Sequence, residues 1–257
     1  MRRRIQPTDR RCFAFFHPQL VDEPLIFVEV ALTAGIAPAI APILAHEREP
    51  LPLKAATTAI FYSISNCQKG LAGVTFGNFL IKQVVEDLAR EIPSLKTFVT
   101  LSPVPGFSAW LDRERRSDAP QGLTRDDVEA LRVIDEPDWQ TDKAKCETVR
   151  KALIPAAAAY FLRAKNERGR PLDPVARFHL GNGARLERLN FLGDVSGKGL
   201  AQSRGLMVNY LYDLSAIEKN HETYVNLGTV ATSSAVSREL RSRSEERRVG
   251  KECRSRW

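Results

Sequence analysis

Residues 59–88 read AIFYSISNCQKGLAGVTFGNFLIKQVVEDL, and this stretch decides the architecture. Ala59–Ser65 is rich in β-branched and aromatic side chains and predicts a strand. Asn66–Gly77 follows, with glycines at 70, 73 and 77, and predicts a loop. Beyond it Leu80, Ile81, Val84, Val85 and Leu88 recur at helical spacing. Lys82, Gln83, Glu86 and Asp87 fall on the other face, and Pro93 stops the helix. Such a loop delivers backbone N–H groups to a helix N-terminus, which carries partial positive charge and suits a phosphate or pyrophosphate. It is not a P-loop, because no GK[ST] follows, and it is not the dinucleotide fingerprint GxGxxG. An ordinary turn that needs small residues accounts for the same glycines.

Upstream, residues 11–33 alternate loosely and are divided by Asp22-Glu23-Pro24, which predicts two strands in a hairpin. Residues 34–53 are rich in Ala and Pro and read as a connection. Downstream, Thr97–Leu101 predicts a short strand and Ser102-Pro103-Val104-Pro105-Gly106 a rigid turn. Helices are expected at Phe107–Arg115, at Arg125–Ile134 with Thr124 as cap, and at Thr141–Lys165 with a kink or break at Pro155. Residues 171–200 carry dense short signals. Leu206–Leu214 predicts another strand, and the chain to about Leu240 reads as helical and polar. Strands on both sides of a long helix, with further helices appended, imply a mixed α/β or α+β sheet domain.

The 257 residues are 43% hydrophobic and 27% charged, an ordinary globular balance with room for one large domain or two small ones. No apolar stretch reaches the ~18 residues that a membrane-spanning helix needs. Pro24–Ala45 is broken by prolines and charges, and Ala152–Leu162 is too short. Met1–Arg4 leads into Gln6-Pro7-Thr8-Asp9 rather than an apolar signal core, so a cytoplasmic protein is expected. The formal net charge is +7, but residues 243–257 hold six basic and three acidic side chains. No helix shows a basic face interleaved with aromatics, which argues against nucleic acid as a partner. Cys12, Cys67, Cys146 and Cys253 are scattered without a CxxC pair, and His17, His46, His179 and His221 form no HExxH. Free thiols in a reducing compartment are expected, and nothing points to a metal.

Two further stretches carry chemistry. In Leu101–Phe107 (LSPVPGF) two prolines fix the backbone just after a strand, so Ser102 sits where a hydroxyl can be held towards a ligand. A serine opening a proline turn fits equally. In Phe178–Ala184 (FHLGNGA) His179 is followed by two glycines and an asparagine. Histidine is the side chain best suited to moving a proton near neutral pH, though a structural histidine is the common alternative.

Gln68-Lys69-Gly70-Leu71-Ala72-Gly73 approaches the Q/RxxGxG/A pyrophosphate loop of the acetyltransferase-like fold, with its glycines three apart. More specifically, the chain resembles the malonyl-CoA decarboxylase family in its C-terminal catalytic domain. The resemblance runs through Arg11-Cys12-Phe13, Val30–Thr33, Ala59–Ser65, Gly70–Val74, Gly77–Lys82, Leu101–Phe107, Phe178–Ala184, Asp194-Val195-Ser196 and Gly205–Tyr210, in the family's order. It covers residues 10–240, and LSPxPGF with HLxNGA is its most specific part.

The resemblance implies an acetyltransferase-like (GNAT-type) mixed sheet flanked by helices, with an extra helical insertion and malonyl-CoA in its groove. Ser102 matches the family's catalytic serine and His179 its catalytic histidine. Ala72, Gly73, Val74, Thr75, Phe76, Gly77 and Asn78 match its malonyl-CoA-binding loop. Asn209 and Tyr212 lie near the cleft by analogy, and a core or sheet-facing role suits each as well. The implied reaction converts malonyl-CoA to acetyl-CoA and CO2, within fatty acid metabolism. Because a thioester is already an electron sink, no metal, biotin or pyridoxal cofactor is expected. Full-length relatives carry a helical domain ahead of this one and use it to form homo-oligomers, so residues 1–242 are expected to be an N-terminally truncated catalytic domain. Residues 243–257 (RSEERRVGKECRSRW) look like the translation of sequencing-adapter DNA and are expected to be disordered. Two other functions fit the same fold: an acyl-CoA-dependent acyltransferase and a non-catalytic CoA-binding module.

Overall fold

A computed structural model describes residues 7–19, 23–68 and 77–240. Among them, seven strands form a mixed sheet: β1 (Arg10–Phe16), β2 (Pro24–Thr33), β3 (Thr58–Asn66), β4 (Thr97–Thr100), β5 (Ser102–Pro103), β6 (Arg185–Asn190) and β7 (Met207–Leu211). The strand order is β1-β2-β3-β4-β7-β5, with β6 paired to β7. The helices include α1 (Ala41–Leu44), α2 (Gly77–Glu91), α3 (Phe107–Arg116), α4 (Arg125–Ala130), α5 (Lys143–Leu162), α6 (Pro174–Gly181), α7 (Gly197–Ser203) and α8 (Ile217–Leu227), and residues 234–240 are helical as well. The mixed sheet flanked by helices expected from the sequence is present, with α3, α4 and α5 inserted between β5 and β6. The chain divides into two compact units.

Among the described residues, the first unit comprises 7–19, 23–68, 77–102, 178–185 and 209–229. The expected hairpin pairs β1 with β2 antiparallel, from Arg10↔Ala31 to Phe15↔Ile26. Strand β2 pairs antiparallel with β3, with a register shift at Glu29/Val30. Strands β3 and β4 run parallel from Thr58↔Thr97 to Phe61↔Thr100. Parallel neighbours need a crossover, and α2 supplies it. Its apolar stripe behaves as the periodicity predicts: Ile81, Val84, Val85 and Leu88 are buried, in a core that also holds Val28, Val30, Leu32, Ile60, Phe61 and Val99. Strand β7 then meets β4 antiparallel at Val99↔Leu211.

A buried carboxylate organises the start of this unit. Asp9 accepts from both terminal nitrogens of Arg48, at 2.5 and 2.7 Å, and from the Leu51 N–H at 3.0 Å. Arg10 Nη2 donates to the Ile43 carbonyl at 2.8 Å. Burial works to raise the Asp9 pKa, but Arg48, the Leu51 N–H and Arg10 together hold it below the usual carboxylate range. The Ala/Pro-rich connection is thereby tied to the edge of the sheet, and it folds into α1 and a 3-10 turn at Leu53–Ala55.

Among the described residues, the second unit comprises 103–177, 186–208 and 230–240. Its core is built around α5 and an aromatic cluster in which Phe107, Trp110 and Tyr160 lie 5.1–5.8 Å apart between ring centroids. Thr124 caps α4 as expected, accepting from the Asp127 N–H while the Asp127 carboxylate accepts from the Thr124 N–H. Past Ala130 the helix tightens into a 3-10 turn, Leu131–Asp135. The kink or break expected at Pro155 does not divide α5, which runs from Lys143 to Leu162 with the proline inside it. Pro155 removes one donor, and the carbonyl four residues back belongs to Lys151, an exposed residue where water can take over. The strand expected at Leu206–Leu214 is shorter, Met207–Leu211, because Asp213 folds its carboxylate onto the Ser215 N–H in a local turn.

Candidate active site

Ser102 and His179, 77 residues apart in sequence, are joined by a side-chain hydrogen bond in the first unit, Ser102 Oγ to His179 Nε2 at 3.1 Å. The serine owes its position to strand geometry. Residues two apart on an extended chain face the same side, so Thr100 and Ser102 align while Leu101 points into the core. Ser102 Oγ donates to Thr100 Oγ1 at 2.9 Å, and the Tyr210 N–H donates to that same threonine oxygen at 3.2 Å.

The histidine owes its position to the end of a helix. His179 lies in the last turn of α6, and the chain reverses immediately after it. Gly183 has φ +76°, and a Cβ there would sit 2.2 Å from the Ile217 carbonyl oxygen, so only glycine makes this turn without displacing α8. The Ala184 N–H returns to the His179 carbonyl at 3.1 Å, the Asn220 amide donates to the Gly183 carbonyl at 3.1 Å, and His221 Nδ1 donates to the Gly181 carbonyl at 2.7 Å. His221 is thus a structural cap on α6.

Aromatic rings hold the imidazole on its remaining sides. Tyr210 stacks on it with centroids 4.6 Å apart, and Phe178 meets it edge-on at 5.0 Å. Tyr212 OH lies 2.8 Å from Nδ1. The ring is 3% exposed, and burial pushes its pKa down to about 3, so it is neutral at physiological pH. A neutral imidazole carries one N–H. Since the Ser102 proton is spent on Thr100, the serine oxygen accepts from Nε2–H, and Nδ1 then accepts from the Tyr212 hydroxyl. Donors run in one direction, from Tyr212 through His179 and Ser102 to Thr100. Burial also holds the Tyr212 phenol well above its ordinary value, with the Asn182 amide acting in the opposite sense.

Of the residues singled out in the sequence, Ser102, His179 and Tyr212 form one hydrogen-bonded chain. Asn209 is buried beside it, with Nδ2 donating to the Thr100 carbonyl at 2.7 Å, so it fastens β7 to the end of β4. Ala72, Gly73, Val74, Thr75 and Phe76 lie outside the described residues, and Gly77 and Asn78 open α2. Sequence reasoning missed Thr100, Tyr210 and Asn182. Period-two alternation back from Ser102 would have found Thr100. Among the described residues, Cys12, Cys67 and Cys146 are free, no three His, Cys, Asp or Glu side chains gather, and no helix is long and apolar enough to cross a membrane.

A chain of hydroxyl, imidazole and phenol, closed off from water, can hold a proton at a defined atom and deliver it to a basic centre beside Ser102. Comparison with known proteins gives that chemistry a setting. The family model described as the malonyl-CoA decarboxylase C-terminal domain matches residues 1–250. A crystal structure of malonyl-CoA decarboxylase from Rhodopseudomonas palustris superposes with a TM-score of 0.89 at 60% identity, covering 93% of this chain and 55% of that one. The Agrobacterium vitis structure gives 0.88 at 58% identity, covering 93% and 59%. The curated mitochondrial malonyl-CoA decarboxylase of Anser anser anser is 37% identical over 92% of this chain and 50% of its own length. The chain therefore spans about half the length of the curated relatives it matches. With the family model covering nearly the whole sequence, this chain belongs to the malonyl-CoA decarboxylase C-terminal domain family.

Proposed function

We propose that the protein decarboxylates malonyl-CoA to acetyl-CoA and CO2, with Ser102 and His179 as the reacting pair. The observation that carries this reading is the 3.1 Å contact between Ser102 Oγ and a buried, neutral His179. Loss of CO2 from the malonyl thioester breaks the bond from Cα to the carboxylate carbon and leaves the electron pair as an enolate on the thioester oxygen and Cα. The site must stabilise that charge and return one proton to carbon. The enolate is a stronger base than an imidazole anion, so a neutral histidine suffices as the source. Ser102 O–H passes its proton to Cα, and His179 Nε2–H restores the serine. Solvent then returns the proton to the site. The thioester supplies the electron sink, so the reading calls for no cofactor.

We further assign the pantetheine-side contacts to Ala72–Asn78, on the family resemblance of that loop, and a homo-oligomeric state to the full-length protein. We place the protein in the cytoplasm, a reducing compartment that suits cysteines scattered without a CxxC pair.

Incubation with malonyl-CoA, following both CO2 and free thiol, tests the reaction. CO2 without thiol is the expected result, and thiol release without CO2 would favour acyl transfer or hydrolysis. Ser102→Ala and His179→Ala should each lower CO2 release by about 100-fold or more, the usual scale for a positioned proton donor. Near-normal turnover in both variants would end the assignment.

A further inference from the structure

Beside the reacting pair lies a polar side chain that the fold leaves unsatisfied. Asn182 is 2% exposed, yet neither its Nδ2 nor its Oδ1 has a hydrogen-bond partner among the described residues. Leaving a buried polar group unpaired costs about 1–3 kcal/mol, and most buried groups in native proteins avoid it. The backbone does not let Asn182 escape. Its N–H bonds to the carbonyls of Phe178 and His179, both at 3.1 Å, and Gly183 next to it is wedged against Ile217. Three residues past His179, it comes round to the same side of the helix end, near enough to Tyr212 to pull the phenol's pKa down while falling short of hydrogen-bond geometry. The Tyr212 hydroxyl spends its proton on His179 Nδ1, which leaves lone pairs on the phenol oxygen.

We infer that Asn182 is a positioning residue that acts on His179 through Tyr212, its Nδ2–H groups held in reserve for negative charge that reaches the phenol oxygen during proton transfer. The inference rests on the reading of Ser102 and His179 as the reacting pair. When Ser102 gives its proton to Cα and Nε2–H follows to the serine oxygen, the imidazole is left short of one proton. The Tyr212 proton shifts towards Nδ1, and the charge that began on the enolate moves out to the phenol oxygen. There the Asn182 amide donates, and a solvent proton later discharges the site. A donor unpaired at rest and paired as charge develops binds the transition state more tightly than the ground state. Such an interaction raises kcat and leaves KM alone. Even outside hydrogen-bond geometry, the positive end of the amide dipole near the phenol oxygen favours the orientation in which Tyr212 donates to Nδ1, which keeps the histidine proton on Nε2, the nitrogen facing Ser102.

The test uses Asn182→Leu, similar in size and without polar atoms, with Tyr212→Phe and the double variant, all in the full chain. Asn182→Leu should lower kcat about tenfold or more, the worth of one hydrogen bond to a charged group, with KM within about twofold of the parent and Tm no lower. In the Tyr212→Phe background the same substitution should change kcat by less than about twofold, because the partner it acts through is gone. An equal loss of kcat with and without the Tyr212 hydroxyl, or a KM that rises in step with the loss, overturns the inference. A second readout does not depend on turnover. Two-dimensional ¹H–¹⁵N correlation of the His179 ring should show the Nε2–H tautomer in the parent and a growing share of Nδ1–H in Asn182→Leu. If the chain releases no CO2 from malonyl-CoA, the proposed function fails and the tautomer ratio alone decides the role of Asn182. An unchanged ratio overturns it. Should Asn182→Leu not fold, Asn182→Ala is read in the same way.

Discussion

Acid should unfold this protein partly through one imidazole. His179 is buried with its pKa pushed down to about 3, against 6.5 for an ordinary histidine. Above pH 6.5 the ring is neutral in both folded and unfolded chains, and its contribution to stability is constant. Below that, the unfolded chain takes up a proton that the folded chain refuses, so stability falls as pH falls until the folded-state value is reached. The slope approaches about 1.4 kcal/mol per pH unit, which gives about 1.4 kcal/mol lost by pH 5.5 and about 3 kcal/mol by pH 4.5. Carboxylates also take up protons as the pH falls, so the quantity to measure is a difference. Urea unfolding of the parent and of His179→Gln at pH 7.5, 6.5, 5.5 and 4.5 isolates the imidazole, because glutamine does not titrate. The gap between the two curves should change by about 3 kcal/mol from pH 7.5 to 4.5, to the disadvantage of the parent. Parallel curves over that range would mean that His179 protonates in the folded protein as easily as in water, and the closed site described above would be wrong.

Three other substitutions probe what holds the site in place. Thr100→Val keeps the shape of the side chain but removes the oxygen that accepts from both the Ser102 hydroxyl and the Tyr210 N–H, so urea unfolding should show a loss of about 2 kcal/mol and the CO2 assay a slower enzyme. Gly183→Ala places a Cβ against the Ile217 carbonyl at a positive φ, and differential scanning calorimetry should show a loss of at least ~2 kcal/mol. Asp9→Ala leaves Arg10 and Arg48 without their buried partner and should cost about 3 kcal/mol by urea unfolding. Because its pKa is held below the carboxylate norm, Asp9 contributes stability that is present at neutral pH and lost as pH falls through the folded-state value. The acid limb of the parent's unfolding curve should therefore flatten in the variant.

Much of the first unit was legible from the residues because its signals are local. The stripe Ile81, Val84, Val85 and Leu88 is a helix face by spacing alone, and Ala59–Ser65 is a strand by composition. In the second unit, Thr124 likewise announces a helix start as its cap. Strand β6 gave no such signal. Arg185–Asn190 alternates charged and apolar residues without a clean period, and only Leu186 and Asn190 are buried. The continuous α5 was unreadable for another reason, since the penalty of Pro155 depends on whether its orphaned carbonyl can reach water. At the site, Ser102 and His179 were each singled out from local sequence but brought together only by family resemblance, because nothing in a separation of 77 residues says that two side chains touch. Thr100 and Asn182 matter only once that contact exists.

Gly183 also restricts how long the segment before it can be. The imidazole sits two residues before the end of α6, and the turn that follows is pinned at Ile217. Each residue of an α-helix advances the chain by about 100° around the axis. One residue added or lost between His179 and Gly183 would therefore swing the ring a quarter-turn or more away from Ser102, while every amino acid kept its identity. In this part of the fold, spelling can drift more freely than register, and an insertion of a single codon would silence the site that many point changes would leave intact.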